Sequence, residues 1–347
     1  VLDGAVAVRK GEELNLEALR VYLSQHLPGG SGELEVLQFP GGFSNLTYLL
    51  RLDQQELVLR RPPLGASVKT AHDMAREYRI LRALKPVYPK VPQALLYCSD
   101  EGVLGAPFYV MERLHGAILR NQATPELTSS RMHQVAQAAL DALVELHHLD
   151  YRQAGLSDLG HPEGYVERQV RGWTERYLKA RTETVEGLER AMAWLPAHLP
   201  PSGEATLLHN DFKYDNLLFS PDLQRVEAVL DWEMATLGDP LMDLGTTLAY
   251  WAEAGDPPSL QRFGLTHLLG NFSRAELIQA YAERTGREAS RILFYYVFGL
   301  FKVGGIMQQI YARYRMGLTQ DPRFGELIHP IRAIGERLEK ALDSGEV

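Results

Sequence analysis

The pattern of apolar and polar positions changes character near residue 113. Residues 12–27 carry Leu16, Leu19, Leu23 and Leu27, a helical stripe that Pro28-Gly29-Gly30 ends. Strand candidates follow at Leu34 to Phe39, Leu46 to Leu50 and Glu56 to Arg60, separated by the turns Pro40-Gly41-Gly42 and Asp53-Gln54-Gln55. Ala71 to Leu84 predicts a helix with Met74, Tyr78, Leu81 and Leu84 on one face. Two more strands fit Ala94–Cys98 and Phe108–Met111. Beyond Leu114 helical spacing dominates. Met132 to Leu149 sets Val135, Ala139, Ala142, Leu146 and Leu149 in register, and residues 164–180, 185–195, 240–251, 275–284, 290–317 and 324–343 read as further helices. Two short strands are expected around residues 217–230. The pattern thus predicts an α+β chain, a small β-rich unit over residues 1–113 and a mostly helical one over residues 114–347.

Composition narrows the class. With 347 residues and 45% apolar content the chain suits one large or two modest globular domains. Its single cysteine, Cys98, cannot close an intramolecular disulfide, so a reducing cytoplasm is the expected compartment. The first residues lack the basic and apolar stretches of a signal peptide. The most apolar run, Ile292 to Met307, is interrupted by Lys302 and is too short to span a membrane. A net charge of −8 argues against non-specific nucleic-acid binding. Residues 1–113 hold 13 basic and 13 acidic residues, so all of that charge falls in the C-terminal part. Oligomeric state is left open.

The chemistry concentrates in His209-Asn210-Asp211-Phe212-Lys213-Tyr214-Asp215-Asn216, followed by Val229-Leu230-Asp231-Trp232-Glu233. An Asp, an Asn five residues on and a second Asp twenty residues on, each beside β-forming residues, is the spacing of a phosphoryl-transfer centre. Asp211 is the candidate general base, or the group that orients a substrate hydroxyl. Asn216 and Asp231 are the candidate Mg²⁺ ligands on ATP, because that ion is hard and takes oxygen donors. Asp231 follows the apolar Ala228-Val229-Leu230, and a carboxylate at the end of a buried strand needs a cation. Lys213 would reach the γ-phosphate, the alternative being a solvated surface lysine. His209 reads as a structural hydrogen-bonder, and the His147-His148 pair as helix packing.

These segments resemble the aminoglycoside phosphotransferase family, a branch of the protein-kinase-like fold. The likeness rests on His209–Asn216, Asp231–Glu233 and Gly238-Asp239-Pro240-Leu241-Met242-Asp243. Phe39 to Tyr48 and Val58 to Pro62 point further, to the kinase-like domain found in some acyl-CoA dehydrogenase fusion proteins. The resemblance implies a bilobal kinase-like architecture with nucleotide bound by the N-terminal lobe. It implies that Gly42, Phe43, Ser44 and Asn45 cover the ATP phosphates, and that Arg60 stands where kinases carry the strand lysine. Glu77 would pair with Arg60; whether Arg60 also touches phosphate stays open, as does a plain surface pair. Met111, Glu112 and Leu114 would form the hinge that binds adenine, with Val58, Met111 and Leu218 against its faces. Glu233 belongs to the Asp-Trp-Glu segment, and Asp239 and Asp243 would brace the catalytic loop, although Asp239 also reads as the N-cap of a helix that starts on Pro240.

The acceptor is a small-molecule hydroxyl, and three kinds fit. A hydroxyacyl thioester of coenzyme A is favoured by the fusion-protein likeness, and Arg168, Arg171, Arg176, Lys179 and Arg181 could meet its phosphates. An aminoglycoside would suit the acidic C-terminal part, and an amino alcohol or sugar is the third. Phe294 to Phe298 with Tyr311 and Tyr314 would line an apolar acceptor pocket or form helix core. A nucleotide-binding pseudokinase is the non-enzymatic alternative.

Overall fold

A computed structural model describes residues 4–40, 45–63, 73–201, 203–319 and 321–347. Gly42, Phe43 and Ser44 of the expected phosphate-covering turn lie outside the described residues, as do residues 71–72. Helix α1 (Leu16–His26) starts on the first leucine of its stripe, later than residue 12, because Asn15 caps it, accepting the Ala18 N–H at 3.1 Å. Strands β1 (Leu34–Gln38), β2 (Leu46–Leu52) and β3 (Gln55–Arg61) form an antiparallel meander. Helix α2 (Met74–Leu84), capped by Asp73, leads to β4 (Ala94–Cys98), the short α3 (Glu101–Leu104) and β5 (Phe108–Glu112). The five strands make one antiparallel sheet in the order β1-β2-β3-β5-β4.

Alternation sorts the two faces of this sheet. Tyr48, Leu50, Leu59 and Val110 pack with Leu19 and Leu23 of α1 in a core of their own. Leu49, Val58, Tyr109 and Met111 point the other way and join the main core with α2 and the helical lobe. On α2 the buried positions are Met74, Glu77, Ile80, Leu81 and Leu84, so a carboxylate stands in a core register. Tyr78, expected on that face, is only half-buried.

The second lobe opens with α4 (Ser129–His148), α5 (Tyr165–Ala180) and α6 (Glu186–Ala197). Where two short strands were expected there are four: β6 (Thr206–Leu208), β7 (Leu217–Phe219), β8 (Val226–Val229) and β9 (Thr236–Gly238). β6 pairs with β9 and β7 with β8. Three-residue strands are too short for alternation to reveal, which is why the outer pair escaped notice. Helix α7 (Pro240–Tyr250) is buried at every residue and starts on Pro240 with Asp239 as its cap. Then come α8 (Pro258–Gln261), α9 (Arg274–Thr285) with a Ser273/Glu276 capping box, α10 (Ile292–Arg315) and α11 (Ile328–Ser344). A 3₁₀ turn over Pro322–Leu327 occupies the start of the segment expected to be helical from residue 324.

Helices α7 and α10 cross at very close range. A Cβ at Gly245 would strike the Tyr295 carbonyl, and one at Gly299 would strike the Gly245 carbonyl. The aromatic run Phe294 to Phe298 is buried on α10 as core. Among the described residues no helix is long and apolar enough to cross a membrane.

Candidate active site

Between the sheet and the helical lobe lies a cleft with about 970 Å³ of free space, part of it open to solvent. Asn45, Val58, Arg60, Glu77, Met111, Glu112, Leu114, Asn216, Leu218 and Asp231 all line it. Val58 and Met111 are cross-strand partners on its roof. Its floor is a small apolar cluster of Ile118, Leu218 and Ala228, with Leu114 and Leu230 at the edge. Glu112, at the end of β5, accepts at Oε1 from Lys85 Nζ at 2.8 Å and from the Gln93 N–H at 2.7 Å. Arg113 stacks its guanidinium 4.7 Å from the Phe39 ring centroid at the mouth.

At the inner end Arg60 bridges two carboxylates. Its Nη1 lies 3.0 Å from Glu77 Oε1 and its Nη2 lies 2.9 Å from Asp231 Oδ1. Arg60 therefore joins a strand, a helix and the segment after β8. Burial works against the charge on Arg60, but Glu77 and Asp231 outweigh it and hold its pKa well above the usual value. The two carboxylates are pushed apart. Burial raises Glu77 against the pull of Arg60, whereas Arg60 overcomes the burial of Asp231 and keeps it low. With both ionised, the trio carries one net negative charge at the cleft wall, a setting that favours a further cation. Asp231 has φ +66°, a left-handed conformation rare for a non-glycine residue. Its neighbour Trp232 donates its N–H to Glu77 Oε1 at 3.2 Å, so α2 helps fix the turn.

The catalytic-loop candidates sit on the lower side. Asn216 Nδ2 donates to Asp211 O at 2.9 Å and Asp211 Oδ2 at 2.8 Å. This fixes the amide so that its Oδ1 is the atom left for a cation. Lys213 Nζ lies 3.1 Å from Asp211 Oδ2 and 4.6 Å from the Tyr250 ring centroid. Lys213 is not among the residues that line the cleft; it is turned to Asp211 and Tyr250 instead. Burial opposes its charge, yet Asp211, Tyr250 and Asp215 raise its pKa and keep it protonated.

His209 is a clasp. Its Nε2 lies 2.9 Å from the Leu230 carbonyl, which only accepts, so that nitrogen carries the proton and Nδ1 takes the Asp211 N–H at 3.2 Å. Asp243, wholly buried, accepts the His209 N–H at 2.7 Å and the Asn210 N–H at 2.8 Å, and its Oδ2 lies 3.2 Å from His147 Nε2. Asp243 thus holds the loop directly. Asp239 takes the N-cap role, accepting the Leu241 N–H of α7 at 2.9 Å, and it also accepts the Tyr295 hydroxyl at 2.7 Å. Glu233 accepts from Asn45 Nδ2 at 2.8 Å and so ties the start of β2 to the Asp231 segment.

Several participants were missed by sequence reasoning. Arg76 donates to the carbonyls of Glu233 at 3.2 Å, Leu159 at 3.4 Å and Ala235. His147 is no mere packing residue, since its Nδ1 meets the Tyr281 hydroxyl at 2.7 Å while Nε2 meets Asp243. Tyr250 hydrogen-bonds Asp211, and burial raises its pKa well above the usual value. Lys302, noticed only as a break in an apolar run, lies under the loop. The cationic run considered for coenzyme A phosphates is partly taken up internally: Arg168 bonds the Glu163 and His161 carbonyls, Arg176 lies 4.9 Å over Trp173, and Arg181 is 2.9 Å from Glu189.

The family model for the phosphotransferase enzyme family matches residues 35–284. The chain belongs to that family. Among its relatives are mouse acyl-CoA dehydrogenase family member 10, 38% identical over 88% of this chain and 29% of that protein, and human family member 11, 34% identical over 93% and 43%. The chain therefore spans less than half the length of those relatives. A crystal structure from Ralstonia eutropha, described as a candidate aminoglycoside phosphotransferase, is 33% identical with a TM-score of 0.78, covering 94% of this chain and 99% of that one. Choline kinase from Cryptosporidium parvum, at 16% identity and a TM-score of 0.60 over 95% and 97% of the two chains, shares the bilobal kinase-like fold.

Proposed function

We propose that this phosphotransferase moves the γ-phosphoryl group of ATP, with Mg²⁺, to a hydroxyl of a small molecule. The observation that carries the reading is the convergence of Asn216, Asp231 and the Arg60–Glu77 pair on one cleft, with Asp211 bonded to Asn216 behind it. In this reading residues 1–113 form the nucleotide-binding lobe and residues 114–347 the catalytic and acceptor-binding lobe. Glu112 and Leu114 offer backbone groups to adenine, and Val58, Met111 and Leu218 enclose its faces.

The donor set suits magnesium. An amide oxygen and a carboxylate are hard ligands, and two protein ligands are the usual number when phosphates and waters complete the shell. Asn216 and Asp231 would hold the ion, and Arg60 holds Asp231 by one oxygen while leaving Oδ2 for it. When bound, magnesium supplies positive charge that offsets charge on the phosphate oxygens. Asp211 takes the proton of the acceptor hydroxyl as that oxygen bonds to phosphorus and the bond to the leaving nucleotide breaks. Lys213, held beside Asp211, balances charge on the acceptor side.

For the acceptor, the names of the relatives favour a hydroxyacyl thioester of coenzyme A, and the Ralstonia eutropha structure keeps an aminoglycoside as the second reading. The test is phosphate transfer from radiolabelled Mg-ATP to hydroxyacyl-CoA, amino-alcohol, sugar and aminoglycoside panels, run beside Asp211→Asn. The variant should keep nucleotide binding and lose transfer by at least about a hundredfold, the lower end of general-base contributions. Equal turnover by both proteins removes Asp211 from the mechanism. Transfer to none of the panels removes the assigned acceptor classes.

A further inference from the structure

Lys302 is a lysine in the middle of a buried helix. It is 2% exposed, it sits on α10 three residues from the Gly299 contact with α7, and its Nζ lies 2.7 Å from the Asn210 carbonyl. Thr246 Oγ1, on α7, is at the outer limit of hydrogen bonding, 3.5 Å away. A larger residue at Gly245 or Gly299 would force the helices apart and withdraw the ammonium from the loop.

Asn210 precedes Asp211 and has φ +66°. Its other polar atoms are also engaged. The N–H goes to Asp243 at 2.8 Å, Nδ2 reaches the Met234 carbonyl at 3.1 Å, and the amide meets the Tyr165 hydroxyl at 3.2 and 3.4 Å. The peptide between Asn210 and Asp211 is gripped on both sides, its oxygen by Lys302 and its N–H by His209 Nδ1 at 3.2 Å. Rotation of that plane would swing the Asp211 side chain. A left-handed residue does not hold its conformation unaided.

Resting on the phosphotransfer reading above, we propose that Lys302 is a positioning residue: its ammonium holds the Asn210–Asp211 peptide plane so that Asp211 faces the acceptor hydroxyl. The charge matters as well as the bond, because a charged donor binds a carbonyl more strongly than a neutral one. Burial pushes the Lys302 pKa down to about 8, with Asp211 and Asp243 resisting and Lys213 assisting. Those are the charged groups that act on it from the catalytic loop and α7. Helix α5 contributes the Tyr165 phenol through Asn210, and none of the charged groups that act on Lys302 comes from α6, α11 or the 3₁₀ turn over Pro322–Leu327, which also pack on α10. The ammonium is therefore present below about pH 8 and lost above it. Its grip on the loop should loosen through that range.

The test uses the full chain with Mg-ATP and water as acceptor, following phosphate release from pH 6.5 to 9.5, so that no acceptor need be known. Wild type should lose kcat above about pH 8. Lys302→Met should lower kcat about tenfold or more at pH 7.5, the size expected for a charged hydrogen bond, with the nucleotide KM within about twofold. It should also lack the alkaline limb. Lys302→Gln, which keeps an N–H donor without the charge, should lie between the two and be flat with pH. Unchanged kcat in a folded Lys302→Met, or an alkaline limb that persists in it, overturns the inference. If neither variant folds, wild type alone decides, since a flat profile to pH 9.5 overturns it too. Absence of any phosphate release or transfer by wild type would bring down the proposed function itself, and this inference with it.

Discussion

Replacing Arg60 by methionine keeps an unbranched, somewhat smaller side chain and removes both its charge and the N–H donors that meet Glu77 and Asp231. Glu77 is 1% exposed, and its carboxylate would then be left in the core with the Trp232 N–H but no cation. Removing one partner of a buried pair costs about 3–5 kcal/mol, more than the pair itself contributes, because the surviving charge stays desolvated. Over 347 residues the unfolding entropy is roughly 0.7 kcal/mol/K, so Tm should fall by about 4–7 °C. The pH dependence has a definite sign. Burial already raises Glu77 above its unfolded value, and losing Arg60 raises it further. A group with a raised folded pKa is harmless once protonated and destabilising when ionised, so the gap between wild type and variant should narrow as pH falls from 7.5 toward 5. Guanidinium denaturation followed by tryptophan fluorescence measures this, with the buried Trp232 beside the pair. The double variant Arg60→Met/Glu77→Gln should recover more than half of the loss while remaining unable to bind nucleotide normally. A single-variant cost under about 1 kcal/mol, or a gap that stays constant with pH, would refute the electrostatic account of this site.

Three further outcomes follow from the same geometry. Between pH 8 and 10 wild type should gain about 2–3 kcal/mol of stability relative to Lys302→Met, because the lysine titrates lower folded than unfolded and the unfolded chain binds more protons there; a constant difference in denaturation midpoints would contradict it. Asp243→Ala strips the acceptor from two buried N–H groups and a histidine, so it should cost about 3–5 kcal/mol and speed amide exchange at His209 and Asn210. Unchanged protection at those amides would deny Asp243 its bracing role. Gly245→Ala drives a methyl into the Tyr295 carbonyl, and a loss of about 1–3 kcal/mol in thermal or chemical denaturation is expected; a neutral result would show that α7 and α10 can part freely.

Much of the frame was legible because it depends on local rules. The N-terminal strands alternate, α2 shows its apolar face at Met74, Leu81 and Leu84, α7 announces itself by Asp239-Pro240, and the motif spacing brought Asn216 and Asp231 to the same cleft. What escaped depends on contacts between distant segments. The β6–β9 ladder joins residues thirty apart through strands of three. Arg76 looks like any surface arginine until the Asp231 segment folds over it. Glu77 did leave a trace, since a carboxylate at the spacing of Met74 and Leu81 falls on the apolar face of its helix. Lys302 left a similar one as the lone charge between Ile292 and Met307. In both cases a charge that breaks an apolar stripe marked a buried partner elsewhere, a signal that only the fold could complete.

Arg76 draws on carbonyls of Leu159, Glu233 and Ala235, and Arg79 adds a tie to Asp158 at 2.7 Å. Helix α2 is thus moored to the lower half of the molecule, although it is the sheet that covers it. Arg60 ties the sheet to α2 through Glu77 and to the segment after β8 through Asp231, so any parting of the sheet from either one must break a desolvated ion pair.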